Sequence, residues 1–455
     1  MDDRRFLRFA LLIALVGTAQ ALIYLPIVNP HSTEDTPSYI ADAKAILHGS
    51  YSIPLGEHDI TGLDWPPSVQ HLKQEDTYRT PGYPALLAVF GGGAGGASRW
   101  AVLLAQALLI GGGVHLSALW LRRLLGARAA LVGAAVYALD PYSKRYASLV
   151  LAEAISGFLL MLGVYLFVRA WQERGLQWWA ACGITFGVLT LVRPIFGLGL
   201  PLVALGALLR GGGARVVLRA AAVYCACFCL LVVPWLGRTT AVIGSPALQN
   251  FGVGWGLLAA AHGEGLNHPW SEIVASPGFL RDFDSVHRFA PTPAELRRSG
   301  DTYAKYLRTA DKHQQHLAVE LFKHRLRHEP GRVVFDYAYR AYFLWMVHED
   351  WVQPGHGITD LLRTVDWIVL ALGIAGSFLA VRRGGVPAAG LVVLLALYTL
   401  LSALGHVEAR YTIPLRGIYL PFATLPLLAL WDRYRARSGE EAADPDGHRR
   451  QVAHG

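Results

Sequence analysis

Long apolar runs without charged side chains constrain this sequence more than any other feature. Only 16% of its 455 residues are charged, too few for an ordinary soluble enzyme of this length. Six runs are mostly long enough to cross about 30 Å of hydrocarbon as helices, at residues 9–28, 100–121, 150–168, 216–235, 367–381 and 388–404. Four shorter runs lie at 127–139, 178–192, 195–209 and 417–431. The sequence therefore predicts an all-α polytopic membrane protein with about ten transmembrane helices.

The placement of lysine and arginine around these runs predicts their orientation. Alternate short segments carry most of the cations, as cytoplasmic flanks do; they hold Arg4, Arg5, Arg8, Arg122, Arg123, Arg128, Arg169, Arg174, Arg210, Arg215, Arg219, Arg382, Arg383, Arg433, Arg435 and Arg437. The opposite short segments hold only Lys144, Arg145, Arg193, Arg410 and Arg416. We therefore expect a plasma (inner) membrane protein with cytoplasmic N- and C-termini and two long extracytoplasmic loops, at 29–97 and 237–360.

The same pattern divides the chain into four parts: a transmembrane core at 1–236 that includes the first loop, a large outer loop at 237–360, C-terminal transmembrane helices at 361–431, and a cytoplasmic tail at 432–455. The charged, Gly-containing tail is predicted to be disordered. Apolar residues at helical spacing predict interfacial helices from Pro37 to His48 and after Pro330. The first should turn Asp42 and Lys44 away from its apolar side. The second should share one face among Val333, Val334, Tyr337, Ala338, Ala341 and Leu344.

Charge near the predicted spans gathers at their outer ends rather than at mid-membrane depth, at Asp140, Glu153, Arg193, Arg238, Glu408, Arg410 and Arg416. A transporter would be expected to carry acids near the bilayer centre. The alternative of a transporter or flippase for a lipid-linked or small polar solute therefore ranks second, and a non-catalytic assembly factor third. The net charge of +8 comes from membrane-flanking turns, which indicates membrane lipids as partners and no nucleic acid.

A reaction at this outer face between a membrane-anchored phosphate donor and an arriving acceptor requires cations for the phosphate and a carboxylate base. Guanidinium groups bind phosphate oxygens bidentately and keep their charge when partly buried. The candidate cations are Arg79, Arg193, Arg238, Arg410 and Arg416, and the candidate carboxylates are Asp35 and Glu153.

Several motifs resemble one family. The run Glu34-Asp35-Thr-Pro-Ser-Tyr39, followed by Arg79-Thr-Pro-Gly-Tyr83-Pro, is similar to the first outer loop of C-type (GT-C) glycosyltransferases. The closer branch is that of the protein O-mannosyltransferases and lipid A aminoarabinose transferases. Further matches follow in family order up to about residue 430: Leu151-Ala-Glu153, Leu191-Val-Arg193-Pro194, Pro234-Trp235 with Arg238, His328-Glu-Pro330, and Glu408-Ala-Arg410-Tyr411 with Pro414.

This resemblance implies an inverting hexosyl- or pentosyltransferase that moves a sugar from a polyprenyl-phosphate donor to a hydroxyl of a glycan, lipid or protein acceptor. It assigns the catalytic base to Asp35, a donor-phosphate contact to Arg79, and a second acid to Glu153, with Asp140 as its rival. The remaining candidates are Arg193, Arg238 and Arg410 for phosphate, and Tyr39, Tyr83 and Glu408 for substrate. No cofactor is certain. Some relatives bind a divalent metal ion, for which Glu75, Asp76, His262 and His268 are the candidates, although the ligand motif is not clearly reproduced.

Each assignment has a structural alternative. Asp35 precedes a predicted helix and could stabilise its N-terminus. Glu153 could pair with Lys144 or Arg145, and Arg79 could be an interfacial anchor. Arg193 and Arg410 could bind lipid headgroups, and Tyr39 could serve packing alone. The sugar, the acceptor, the lipid carrier and the oligomeric state cannot be read from the sequence.

Overall fold

The computed structural model of the chain describes residues 1–28, 35–57, 65–173, 175–199, 213–249, 251–265, 268, 270–298, 302–346 and 357–438. Over these residues the fold is helical apart from one small hairpin, which confirms the predicted fold class. The first nine helices are α1 (Asp3–Val28), α2 (Thr36–Leu47), α3 (Pro67–Gln70), α4 (Gly82–Val89), α5 (Gly96–Leu125), α6 (Ala127–Leu139), α7 (Pro141–Ala147), α8 (Glu153–Glu173) and α9 (Leu176–Val192). The others are α10 (Ala214–Ile243), α11 (Val253–Ala261), α12 (Trp270–Val274), α13 (Pro277–Asp284), α14 (Pro293–Arg298), α15 (Thr302–His328), α16 (Pro330–Phe343), α17 (Gly357–Ser402) and α18 (Arg416–Ser438).

Six long apolar helices within the described ranges are suited to cross a membrane: α1, α5, α8, α10, α17 and the segment that ends in α18. Two shorter apolar helices, α6 and α9, accompany them. The long helix α17 has a break at Gly385, where φ is 62° and ψ is −147°, between the two spans that the sequence predicts there. The predicted span at 195–209 falls mostly outside the described residues. The chain is thus a multi-pass membrane protein, and the total of ten helices is not confirmed.

Small residues allow these helices to approach one another closely. A Cβ on Gly183 of α9 would lie 2.4 Å from the carbonyl oxygen of Tyr224 in α10. A Cβ on Gly376 of α17 would lie 1.8 Å from the carbonyl oxygen of Phe422 in α18. Lipid tails are as apolar as the side chains they surround, so helices in a membrane are held by this kind of van der Waals contact.

A two-stranded antiparallel hairpin covers α2 in the first loop. Its strands are β1 (Ser52–Pro54) and β2 (Lys73–Glu75), with Ile53 opposite Gln74. Ile53 packs with Ala41 and Ala45 of α2, and Asp42 of the same helix is fully buried. The expectation that Asp42 lies on the polar side of α2 is therefore wrong, because the hairpin covers that side of the helix.

The second predicted interfacial helix is α16, and it buries only part of the apolar set proposed from its periodicity: Val333 and Leu344 are buried, whereas Val334 and Ala338 are exposed. Val333, Asp336 and Arg340 are buried, whereas Val334 is 64% exposed. Arg340 donates to the carbonyl oxygens of Glu264 and Ala403. The buried face is polar because these hydrogen bonds join α16 to neighbouring loops.

The last helix extends further than expected. The sequence places the end of the final span at residue 431, yet α18 continues through Ser438, and its residues 431–437 are exposed. Residues 439–455 of the predicted disordered tail lie outside the described part of the chain.

Candidate active site

Asp35 lies immediately before α2, at the position where an aspartate often caps a helix. Its carboxylate makes no capping hydrogen bond to the helix. It is instead ion-paired with the Nη2 atoms of Arg79 and Arg410, the latter at 3.0 Å. The structural alternative proposed for Asp35 is therefore not the role that this geometry shows.

Arg79 approaches Asp35 from the segment that leads into α4. Its Nε donates to the Ser38 hydroxyl at 3.0 Å, and its guanidinium lies 4.5 Å from the ring centroid of Tyr39 and 4.4 Å from that of Tyr78. Only 13% of the side chain is exposed. The sequence-based alternative of an interfacial anchor does not describe an arginine that is enclosed by two aromatic rings and an acid.

Gly82 explains how α4 brings Arg79 to this place. A Cβ on Gly82 would lie 2.7 Å from the backbone carbonyl of Leu191, near the end of α9. Arg193 follows α9 directly, so the close approach of α4 and α9 puts Arg79 and Arg193 on the same side of the molecule.

Glu153 and Arg193 form the second half of the cluster. Glu153 begins α8, and its Oε1 lies 2.5 Å from Nη2 of Arg193. Only 2% of the glutamate side chain is exposed, against 26% for Asp35. The sequence-based alternative paired Glu153 with Lys144 or Arg145, but Lys144 donates to the carbonyl oxygen of Tyr137 instead.

Arg410 and Glu408 come from a 3₁₀ turn, Ala409–Leu415, and the residue before it. Arg410 donates to Oε1 of Glu408 at 3.0 Å while it also contacts Asp35. Arg193 and Arg410 both lie near the ring of Tyr411, at 5.8 and 6.0 Å from its centroid. Six charged residues that the sequence singled out thus gather in one cluster: Asp35, Arg79, Glu153, Arg193, Glu408 and Arg410.

The charge on Asp35 reflects two opposing effects. Burial raises the pKa of its carboxyl, but the positive charges of Arg79, Arg410 and Arg193 outweigh burial and hold the pKa below its usual range. Asp35 is therefore ionised at neutral pH, and two guanidinium groups occupy its oxygens.

Asp140, the rival for the second acid, has a different environment. Its two oxygens accept from Nε and Nη2 of Arg416 at 2.8 and 2.6 Å. It also accepts from the backbone N–H of Ser143 and so caps α7. Both ionised side chains are almost fully buried, so Asp140 and Arg416 form a structural pair.

The three other candidates are Arg238, Tyr39 and Tyr83, of which Tyr39 contacts the cluster through Arg79. Arg238 is ion-paired with Glu75 and donates to the carbonyl oxygens of Asp76 and Tyr51, so it fastens the β1–β2 hairpin to α10. Tyr39 and Tyr83 meet edge to face at 4.8 Å. The Tyr83 hydroxyl donates to Gln106 at 2.9 Å inside the fold, which is a packing arrangement.

The proposed metal ligands do not converge. Among the described residues, no group of three or more His, Cys, Asp or Glu side chains is arranged to hold a metal ion. Glu75 is engaged by Arg238 and by the Ser52 hydroxyl, and His262 lies 3.1 Å from Asp282. These residues do not fit a shared metal site in this arrangement.

The sequence reasoning missed His406 and Glu264. Nδ1 of His406 lies 2.7 Å from Oε1 of Glu264, and its Nε2 lies 3.5 Å from Oε1 of Glu408. A signal was present, since His406 stands two residues before Glu408 in the motif that was singled out. Glu264 carried none, because it lies in the large loop, 142 residues from its partner.

Comparison with known proteins agrees with this fold. Residues 79–237 match the family model of dolichyl-phosphate-mannose-protein mannosyltransferases. No curated protein sequence matches the chain.

Two solved structures are similar to this chain. The archaeal oligosaccharyltransferase AglB from Archaeoglobus fulgidus, in complex with an inhibitory peptide and a dolichol-phosphate, is 13% identical and superimposes with a TM-score of 0.52 over 97% of this chain and 52% of its own. ArnT from Cupriavidus metallidurans, bound to undecaprenyl phosphate, is 16% identical over 90% of this chain and 77% of its own, with a TM-score of 0.38. The chain spans about half the length of AglB. The resemblance to GT-C glycosyltransferases is confirmed.

Proposed function

Starting from a multi-pass membrane protein with the GT-C glycosyltransferase fold, we propose that it transfers a sugar from a polyprenyl-phosphate donor to an acceptor hydroxyl, with inversion, at the extracytoplasmic membrane face. Asp35 is the base, and Arg79, Arg193 and Arg410 bind the donor phosphate. In this proposal the core at 1–236 and the helices at 361–431 cross the membrane. The first loop, at 29–97 within that core, and the large loop at 237–360 form the outer surface.

One observation carries this proposal: a single partly exposed carboxylate is surrounded by arginines from separate parts of the chain. Asp35 contacts Arg79 and Arg410, which lie 44 and 375 positions further along the chain. Arg410 is shared between Asp35 and Glu408, so its contact with Asp35 can be exchanged for another anion. An incoming phosphate can accept hydrogen bonds from the same guanidinium groups.

Donor binding is expected to activate Asp35. The arginines now hold the pKa of its carboxyl low, which makes it a weak base. When phosphate oxygens take over Arg79 and Arg410, that stabilisation decreases and the basicity of Asp35 rises. The base therefore becomes effective only when the donor is in place.

The chemical step follows from this arrangement. The acceptor hydroxyl gives its proton to Asp35 while its oxygen forms a bond to the anomeric carbon of the sugar. The bond from that carbon to the phosphate oxygen breaks, and its electron pair leaves with the polyprenyl phosphate. The developing negative charge is held by the arginines, and attack opposite the leaving group inverts the anomeric centre.

The first prediction tests Asp35. Membranes that contain the full chain are incubated with a panel of undecaprenyl-phosphate and dolichyl-phosphate sugars, and consumption of each donor is followed. Asp35→Asn should lower the consumption of the accepted donor by at least about 10²-fold, since a positioned base contributes about 10² to 10⁴-fold.

The matched control is Glu320→Gln on α15, whose side chain is 54% exposed and pairs with Lys323 at the surface. It should keep the wild-type rate. Near wild-type turnover by properly inserted Asp35→Asn protein would contradict the proposed base, and solute movement across proteoliposomes without donor consumption would favour a transporter.

A further inference from the structure

His406 is enclosed by carboxylates from two distant parts of the chain. Both of its ring nitrogens face an acid, Glu264 on one side and Glu408 on the other. A neutral imidazole has one N–H and one acceptor nitrogen, so only the doubly protonated ring can donate to both carboxylates. Only 8% of the His406 side chain is exposed, and the indole of Trp255 lies against it at 5.1 Å.

The charges around this ring alternate without interruption up to Asp35. Glu264 pairs with His406, His406 with Glu408, Glu408 with Arg410, and Arg410 with Asp35. Near the start of this series Arg340 of α16 donates to the backbone oxygen of Glu264, and the ion pair of Arg325 and Asp336 lies close by. The Tyr411 hydroxyl donates to Oε1 of Glu408 at 3.3 Å. Glu408 therefore lies between two positive neighbours in the series, His406 and Arg410. Glu264 has one, His406.

We propose that His406, as an imidazolium, is a positioning residue that holds Glu408 and thereby keeps Arg410 directed at Asp35 and the donor phosphate. This rests on the proposed function. Loss of the imidazolium charge leaves Glu408 with Arg410 as its sole counter-ion along the series. Glu408 then competes with Asp35 and with phosphate for the same guanidinium, and turnover decreases.

The direction of the pH dependence follows. Burial lowers the pKa of His406, but the hydrogen bonds and charges of Glu264 and Glu408 outweigh burial and raise the pKa to about 9. The imidazolium is therefore present at neutral pH and is lost as pH rises through about 9. We expect kcat to decrease as pH rises through about 9, which forms an alkaline limb in the pH profile. At acidic pH His406 stays charged, so its titration does not lower kcat there.

The test compares pH profiles of kcat for the donor that the wild-type protein consumes from the panel above. His406→Gln should lower kcat at pH 7 by about tenfold or more, the effect of losing a hydrogen bond to a charged group, and should remove the alkaline limb. Glu264→Gln keeps the ring and removes one carboxylate, so it should move the limb to lower pH by about one unit.

His324→Gln, an exposed histidine of α15, is the matched control and should keep the wild-type profile. If Glu264→Gln leaves the limb in place, or if His406→Gln retains it, the positioning role is excluded while the proposed function stands. If wild-type protein consumes no donor, the proposed function fails first, and with it the role of His406.

Discussion

At the scale of single residues, the ion pairs of this molecule divide into enclosed and accessible ones. Asp140 and Arg416 are joined by two hydrogen bonds inside the fold, whereas Asp35 keeps 26% of its side chain exposed between two arginines. The first kind supports the fold, and we propose that the second exchanges partners with the donor phosphate. Removing one partner should therefore have different consequences in the two places.

Arg416→Gln is expected to destabilise the protein by about 3–5 kcal/mol, because it leaves the buried carboxylate of Asp140 without its counter-charge. The free energy of unfolding in detergent, measured from denaturant titration, checks this. The double variant Asp140→Asn with Arg416→Gln should recover part of the loss. Arg332→Gln, which removes a half-exposed surface pair with Glu329, should cost less than about 1 kcal/mol. Equal effects of the two single variants would contradict the distinction.

At the scale of elements, the site depends on how closely short helices approach long ones. Gly82 lets α4 lie against the end of α9, where Arg193 follows. The hairpin of β1 and β2 covers α2, the helix that begins directly after Asp35.

Gly82→Ala is expected to separate α4 from α9, since the new Cβ would stand 2.7 Å from backbone atoms that cannot rotate away. Overpacking of this kind costs about 1–3 kcal/mol, and the displacement of Arg79 should raise KM for the donor. Unfolding midpoints and donor kinetics check both effects. Gly213→Ala, where a Cβ meets open space, should change neither. If Gly82→Ala leaves the donor kinetics unchanged, the contact between α4 and α9 does not position Arg79.

At the scale of the whole molecule, the proposed orientation places the residues after α2 outside the membrane and the end of α18 inside. A cysteine-free background with His48→Cys, an exposed residue just after α2, should react with a membrane-impermeant maleimide in intact cells. Arg435→Cys, exposed near the end of α18, should react only after the membrane is opened. The reverse labelling pattern would overturn the extracytoplasmic placement of the site.

The sequence predicted the helical membrane fold and the members of the charged cluster better than it predicted their partners. Apolar runs report spans directly, because hydrocarbon thickness imposes their length. Motif order brought Asp35, Arg79 and Arg410 into one hypothesis. Hydropathy could not show that Glu153 meets Arg193 rather than Lys144, since pairing depends on how helices pack. It could not show that Asp42 is buried, because the covering strands are only three residues long.

The pair of Glu153 and Arg193 has a consequence for how the protein is made. Glu153 begins α8 and Arg193 follows α9, so both lie at the open end of one helical hairpin. In the proposed orientation this end must pass through the bilayer during biogenesis. Two separate ions are costly to carry through hydrocarbon, whereas a hairpin that joins them as they enter presents the translocation machinery with a neutral pair.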